Sequence, residues 1–132
     1  MQKYNLNELI EFDDKKPRPK VLVNEPGRRI VLLCLRAGQA IPEHANQERV
    51  IVHVVQGHIT FYEGILPCEL HAGEVISLES GAPHRLEAHE DSVMFVLAVG
   101  SAPTDVDLAP EVYGRVIASR TRPTSRKQTT VG

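Results

Sequence analysis

From residue 21 onward the chain alternates between short hydrophobic runs, rich in Val, Ile and Leu, and turns that mostly contain glycine. This pattern, with no long helical pattern between the runs, is typical of an all-β sandwich or barrel and not of a parallel α/β sheet. The run 50–55 is apolar at almost every position, which predicts that both faces of that strand are covered. The predicted strands are 21–23, 29–35, 50–55, 59–62, 68–70, 74–78, 85–88 and 92–99.

The two ends of the chain differ from this middle part. Residues 5–12 place Leu6, Leu9 and Ile10 on one face of a short helix with Asn5 as its N-cap, and a charged connector with two prolines follows. We therefore divide the chain into an N-terminal helical segment and connector (1–19), a β-barrel (20–100), a C-terminal extension (101–118) and a flexible basic tail (119–132).

Composition narrows the class of protein. The 132 residues suffice for one domain, and no apolar run is long enough to cross a membrane. The first residues lack the pattern of a secretory signal, and Cys34 and Cys68 lie in apolar stretches without metal-binding spacing. We expect two buried thiols, a cytoplasmic protein and no membrane partner.

The net charge of −2 hides an uneven distribution. Residues 115–132 hold five basic residues and no acidic one, whereas residues 1–114 hold 10 basic and 17 acidic residues. An acidic barrel disfavours nucleic acid as a partner, because the phosphate backbone is negatively charged. We expect the adjacent Arg28 and Arg29 to be solvated.

Two stretches, 38–57 and 73–88, separated by fifteen residues, combine glycines and histidines at a characteristic spacing. Together with the flanking strands they resemble the two motifs of the cupin superfamily. The resemblance implies a double-stranded β-helix, or small jelly-roll barrel, that is often dimeric. The matching residues are Gly38, His44 and Gly57 in the first motif and Gly73, Gly81 and His84 in the second.

The resemblance also implies a divalent metal inside the barrel, held by three residues of the first motif and one histidine of the second. This sequence keeps His44 and His84 but has Asn46 at the second histidine position and Val50 at the carboxylate position. Two imidazoles fall short of the three protein ligands that a catalytic metal usually takes. A third donor would have to come from Asn46, or from Glu48 or Glu43 after a local adjustment.

The predicted cofactor is therefore either none or a divalent transition metal at His44 and His84, with Asn46 or Glu48 as a further ligand. We expect a small-molecule pocket that binds a polar or anionic ligand near these histidines. The alternatives are a metal-dependent dioxygenase or isomerase with a reduced ligand set, and a partner-binding scaffold. The predicted pocket residues are His44, Asn46, Val50, Val52, Phe61 and His84.

On this resemblance Val54, Ile59 and either Met94 or Phe95 also point inward. Period-2 alternation puts His53 on the face opposite Val50, as a packing or interface histidine. Since the outer strand surface needs cover, we predict a homodimer. The remaining histidines, His58, His71 and His89, are expected at the surface, so that only two of the six histidines converge.

Overall fold

The computed structural model describes residues 1–100, which form one short helix and nine antiparallel strands. The predictions for 101–118 and 119–132 lie outside the described residues. The elements are α1 (Leu6–Leu9), β1 (Arg18–Glu25), β2 (Arg28–Leu35), β3 (Ala40–His44), β4 (Arg49–Gln56), β5 (His58–Glu63), β6 (Leu66–His71), β7 (Val75–Leu78), β8 (His84–Ala88) and β9 (Ser92–Val99).

The strands form two sheets that pack face to face. One sheet has the order β1-β2-β9-β4-β7 and the other the order β3-β8-β5-β6. All eight predicted strands are present, and the all-β double-stranded β-helix is confirmed. No helix within residues 1–100 has both the length and the apolar character that crossing a membrane requires.

The strand β3, which carries His44, is absent from the predicted strands. Its sequence, Ala-Ile-Pro-Glu-His, has a proline at its centre and a single buried hydrophobic residue, Ile41. A proline is tolerated here because β3 is the edge of its sheet and needs no further hydrogen bonds on one side.

The core lies between the sheets and contains the side chains predicted to point inward. Val50, Val52 and Val54 alternate with partly buried residues along β4, as period-2 geometry requires. On β9 the inward residue is Met94, whereas Phe95 packs on the outer face. Ile59 and Phe61 on β5 complete the predicted set.

The outer face of the five-stranded sheet is covered in part by the N-terminal segment. Buried Leu32, Cys34 and Val93 form a second apolar cluster, against which Leu6 and Phe12 pack. Val55 belongs to the same outer cluster, in agreement with the prediction that both faces of the strand 50–55 are covered. The homodimer stays a prediction.

Two expectations about individual side chains are wrong. Cys34 is a buried thiol, but Cys68 lies on β6 near the sheet edge and is exposed. Arg29 is buried, not solvated, because its guanidinium forms an ion pair with the buried carboxylate of Glu48. Arg28 is exposed and pairs with Glu25.

Candidate functional site

His44 and His84 are brought together by the pairing of β3 with β8. The two residues are directly opposite each other in the register, next to an irregularity between Ile41 and His44. Their ring centroids are 4.4 Å apart in an edge-to-face arrangement. The two histidines that the motifs predict to converge therefore do converge, at one end of the second sheet.

Both imidazoles are held by the same local hydrogen bond. Nδ1 of His44 lies 2.9 Å from the carbonyl oxygen of Pro42, and Nδ1 of His84 lies 2.9 Å from that of Ala82. A carbonyl oxygen only accepts, so each Nδ1 carries the proton. In the neutral ring Nε2 is then the acceptor, which is also the nitrogen through which such histidines bind metals.

The loops that follow β3 and β7 meet beside this pair. The backbone N–H of Gly81 donates to the carbonyl oxygen of Asn46 at 2.8 Å, and the Ser80 hydroxyl donates to that of Gln47 at 2.5 Å. Asn46 is buried between these loops. The two sequence motifs are thus joined by hydrogen bonds between their central loops.

The apolar residues of the predicted pocket lie in the barrel interior. Phe61 stacks on the ring of His84, with centroids 5.6 Å apart. Val50 and Val52 are buried in the same core cluster as Phe61. Among the six predicted pocket residues, the ring of His84 contacts both His44 and Phe61. Val50 and Val52 are packed in the hydrophobic core.

Burial sets the charge state of His84. The side chain is almost fully buried, and loss of solvation is the main reason why the pKa of its imidazole lies below the usual range. The neighbouring His44 lowers this pKa further, whereas the hydrogen bond to Ala82 opposes the shift. His84 is therefore neutral at physiological pH.

The glutamates near His44 and His84 differ in how far their side chains are buried. Glu48 is fully buried and its carboxylate pairs with Arg29. Glu43 lies on β3 with an exposed side chain. Glu63, which is not among the site residues predicted from the sequence, is the register partner of His84 on β5 and is also exposed. Its position two residues after the inward-facing Phe61 is the signal that places it near this end of the barrel.

A second histidine cluster contradicts the expectation that only two histidines converge. The His58 ring stacks on His71 at a centroid distance of 4.2 Å and lies 4.6 Å from the His89 ring. Pairing of β5 with β6 places His58 opposite His71, and the loop after β8 brings His89 alongside. Only the contact of His58 with His71 has a signal in the sequence, because a short turn joins the two strands that carry these residues.

Comparison with known proteins identifies the domain class. The family model described as "Cupin domain" matches residues 31–100. Comparison with curated protein sequences finds no match.

Several solved structures share this fold. An RmlC-like cupin protein from Desulfovibrio desulfuricans is 25% identical, with a TM-score of 0.67 over 74% of this chain and 96% of that chain. A cupin 2 conserved barrel domain protein from Leptotrichia buccalis is 27% identical, with a TM-score of 0.69 over 73% of this chain and 47% of that chain. A salicylate 1,2-dioxygenase from Pseudaminobacter salicylatoxidans is 18% identical, with a TM-score of 0.60 over 64% of this chain and 26% of that chain.

Proposed function

This chain belongs to the Cupin domain family, and from that premise we propose that its barrel binds a small polar molecule at the end where His44 and His84 meet. The observation that carries the proposal is the pair of hydrogen bonds from Nδ1 to the backbone carbonyl groups of Pro42 and Ala82. They orient both rings and place the ring proton on Nδ1, so that Nε2 is the acceptor atom of each neutral imidazole. A ligand with hydroxyl or amino donors complements such acceptors.

The same geometry favours a neutral ligand over an anion. An anion needs donors, so it would require protonated Nε2 atoms. Burial and the neighbouring His44 lower the pKa of His84, which opposes that protonation. Of the two ligand classes expected from the sequence, polar and anionic, we therefore propose the polar one.

The donor set does not fit a resident metal of the kind that the family implies. His44 and His84 have suitably held imidazoles, but Val50 has no donor atom and the Glu48 carboxylate is paired with Arg29. Within residues 1–100, the one group of three His, Cys, Asp or Glu residues close enough to share an ion lies elsewhere. Two imidazoles alone do not supply the three protein ligands of a catalytic site.

Binding of matched neutral and anionic compounds tests the proposal. We expect neutral compounds such as glucose or benzyl alcohol to bind more tightly than gluconate or benzoate in calorimetric titrations. Affinity for the neutral compound should be higher at about pH 8 than at about pH 5.5, because protonation of Nε2 removes the acceptor. Replacing both His44 and His84 with leucine should weaken binding about tenfold or more, the loss expected for two hydrogen bonds.

His53→Leu is the matched control, since His53 lies on the outer side of β4, away from the barrel interior. It should leave the affinity unchanged. Failure of both neutral compounds to bind, or binding that the double leucine variant retains, would overturn the proposal. Tighter binding of the anions than of the neutral compounds at about pH 8, where the imidazoles are neutral, would contradict the choice of a polar ligand.

A metal-dependent enzyme, such as a dioxygenase or isomerase, is the second candidate. It is favoured by the Nδ1 hydrogen bonds of His44 and His84, the arrangement that orients metal-ligating histidines. This candidate requires a third donor, which would have to come from Asn46 in the loop after β3.

Metal content separates the two candidates. The protein should be purified without chelator and without a histidine tag, and its metal measured by mass spectrometry. We expect His44→Gln with His84→Gln to leave the amount per chain unchanged. A loss of about one ion per chain in that variant, but not in His53→Gln, would favour the enzyme.

A further inference from the structure

A group of polar side chains occupies the outer face of the β5–β6 hairpin, away from the barrel interior. The register pairs His58 with His71 and Thr60 with Glu69, and residues directly opposite each other share a face. His89 joins them from the turn after β8, where its backbone N–H donates to the carbonyl oxygen of His58 at 2.9 Å. Neither the core nor the His44–His84 pair uses these side chains.

Hydrogen bonds draw three of these residues together around Thr60. His58 Nε2 lies 2.6 Å from Glu69 Oε1, and the Thr60 hydroxyl donates to the Glu69 carboxylate at 3.1 Å. His89 Nε2 lies 2.5 Å from the same hydroxyl. One ligand atom each from His58, Glu69 and His89 lie within 4.8 Å of one another.

We propose that His58, Glu69 and His89 form a binding site for a divalent first-row transition metal ion on the outer face of the four-stranded sheet. Two imidazoles and one carboxylate are donors that Zn²⁺, Ni²⁺, Cu²⁺ and Fe²⁺ accept. Ligands at about 2.1 Å from a tetrahedral ion lie about 3.4 Å apart, so small side-chain movements suffice to close the site. Binding replaces the ring N–H protons that hold the present network together.

The surroundings support a site that is already partly organised. Thr60 is buried beneath the three ligands and orients the Glu69 carboxylate, the role of an outer-shell partner in metal sites. The hydrogen bond from His58, joined by that from Thr60, holds the pKa of the Glu69 carboxyl below its usual range, so Glu69 is ionised. Glu69 and His89 are exposed and His58 is partly so, which leaves room for water or an exogenous group as a further ligand.

This site is separate from the one inside the barrel. His84 pairs with Glu63 at one end of β5, whereas His58 begins the strand at the other end. Five residues of strand correspond to about 16 Å. The two groups therefore bind their ligands independently, and the metal proposal does not rest on the proposed function.

Titration with Zn²⁺ tests this proposal. The full chain, free of tags and first stripped with chelator, should bind one Zn²⁺ in calorimetry near pH 7.5. His58→Gln with His89→Gln removes two of three protein ligands and should weaken binding about 100-fold or more, with Glu69→Gln showing a smaller loss of about tenfold. These residues carry no core packing, so circular dichroism should be unchanged.

Two control variants locate the ion. His53→Gln makes the same chemical change on the outer face of the other sheet, and His44→Gln with His84→Gln removes the interior imidazoles. Both should keep the single Zn²⁺ site with unchanged affinity. Absence of Zn²⁺ binding to the native chain, or binding that survives loss of His58 and His89, would overturn the proposal.

A measurement on the unmodified protein makes the test independent of how the variants fold. Substoichiometric Cu²⁺ should broaden the backbone amide resonances of His58, Glu69 and His89 before those of His44 and His84, which lie near the far end of β5. Broadening that begins at His44 and His84 would place the ion in the barrel and contradict the proposal.

Discussion

Replacing Glu48 with glutamine should lower the free energy of unfolding by about 3–5 kcal/mol, because it leaves the guanidinium of Arg29 buried without its counter-charge. Both side chains are buried, Arg29 at the start of β2 and Glu48 in the loop before β4. A charge in this environment cannot recover the lost interaction from water. Urea denaturation monitored by circular dichroism measures the change in the free energy of unfolding.

The control for this prediction is an exposed ion pair on the same sheet. Arg49 and Glu79 make two hydrogen bonds at 3.0 Å, but the Glu79 side chain is largely exposed. Glu79→Gln should therefore cost less than about 1 kcal/mol. Replacing the buried pair with Arg29→Met and Glu48→Leu together should recover much of the stability, since no charge then remains uncompensated.

If Glu48→Gln lowers the free energy of unfolding by less than about 1 kcal/mol, the ion pair of Arg29 and Glu48 does not hold the start of β2 against the loop before β4. The consequence reaches the candidate site, because Glu48 lies two residues after Asn46 in the loop that joins β3 to β4. Loosening this loop should also weaken ligand binding at His44.

Gly57→Ala should be the second severe substitution, with a loss of more than about 3 kcal/mol. Gly57 has φ of +100°, a conformation that costs an L-residue about 1–2 kcal/mol by itself. An added Cβ would also lie 2.2 Å from Ser92 Oγ and 2.6 Å from Ser92 Cα. Because the nearest obstacles include backbone atoms, the turn between β4 and β5 or the β8–β9 turn has to move.

Gly64→Ala is a matched control for the conformational part of this cost. Gly64 has φ of +63° in the turn between β5 and β6, and an added Cβ meets no atom within 4 Å. It should lose only about 1 kcal/mol, the cost of the left-handed conformation. Equal losses for the two variants in urea denaturation would show that the close approach to Ser92 is unimportant.

The close approach at Gly57 also positions the proposed outer metal site. The N–H of His58 donates to Ser92 Oγ at 3.1 Å, and the N–H of His89 donates to the carbonyl oxygen of His58 at 2.9 Å. A side chain at position 57 would separate these segments. Glycine at position 57 therefore serves both the stability of the turn between β4 and β5 and the proximity of His58 to His89.

Much of the fold could be predicted from local sequence. Alternation along β4 indicates that Val50, Val52 and Val54 face the core. The Gln-Gly-His turn predicts a hairpin of β4 with β5. That prediction is wrong, because β4 and β5 belong to different sheets and the turn carries the chain from one sheet to the other. The proximity of His44 and His84 was implied by the resemblance to a family with two spaced motifs, and the structure confirms it. Strand β3 was not predicted, because Pro42 and Glu43 interrupt its short apolar pattern.

Sequence alone determined the β architecture, the inward face of the central strands and the identity of the two interior histidines. Only the tertiary structure decided the partners of charged side chains. Arg29 and Glu48 are nineteen residues apart, and His58 and His89 are thirty-one apart, so no local pattern reports their contact. Hydrophobic periodicity records which side of a strand is buried, whereas a cluster of polar residues depends on the register and on which strands become neighbours.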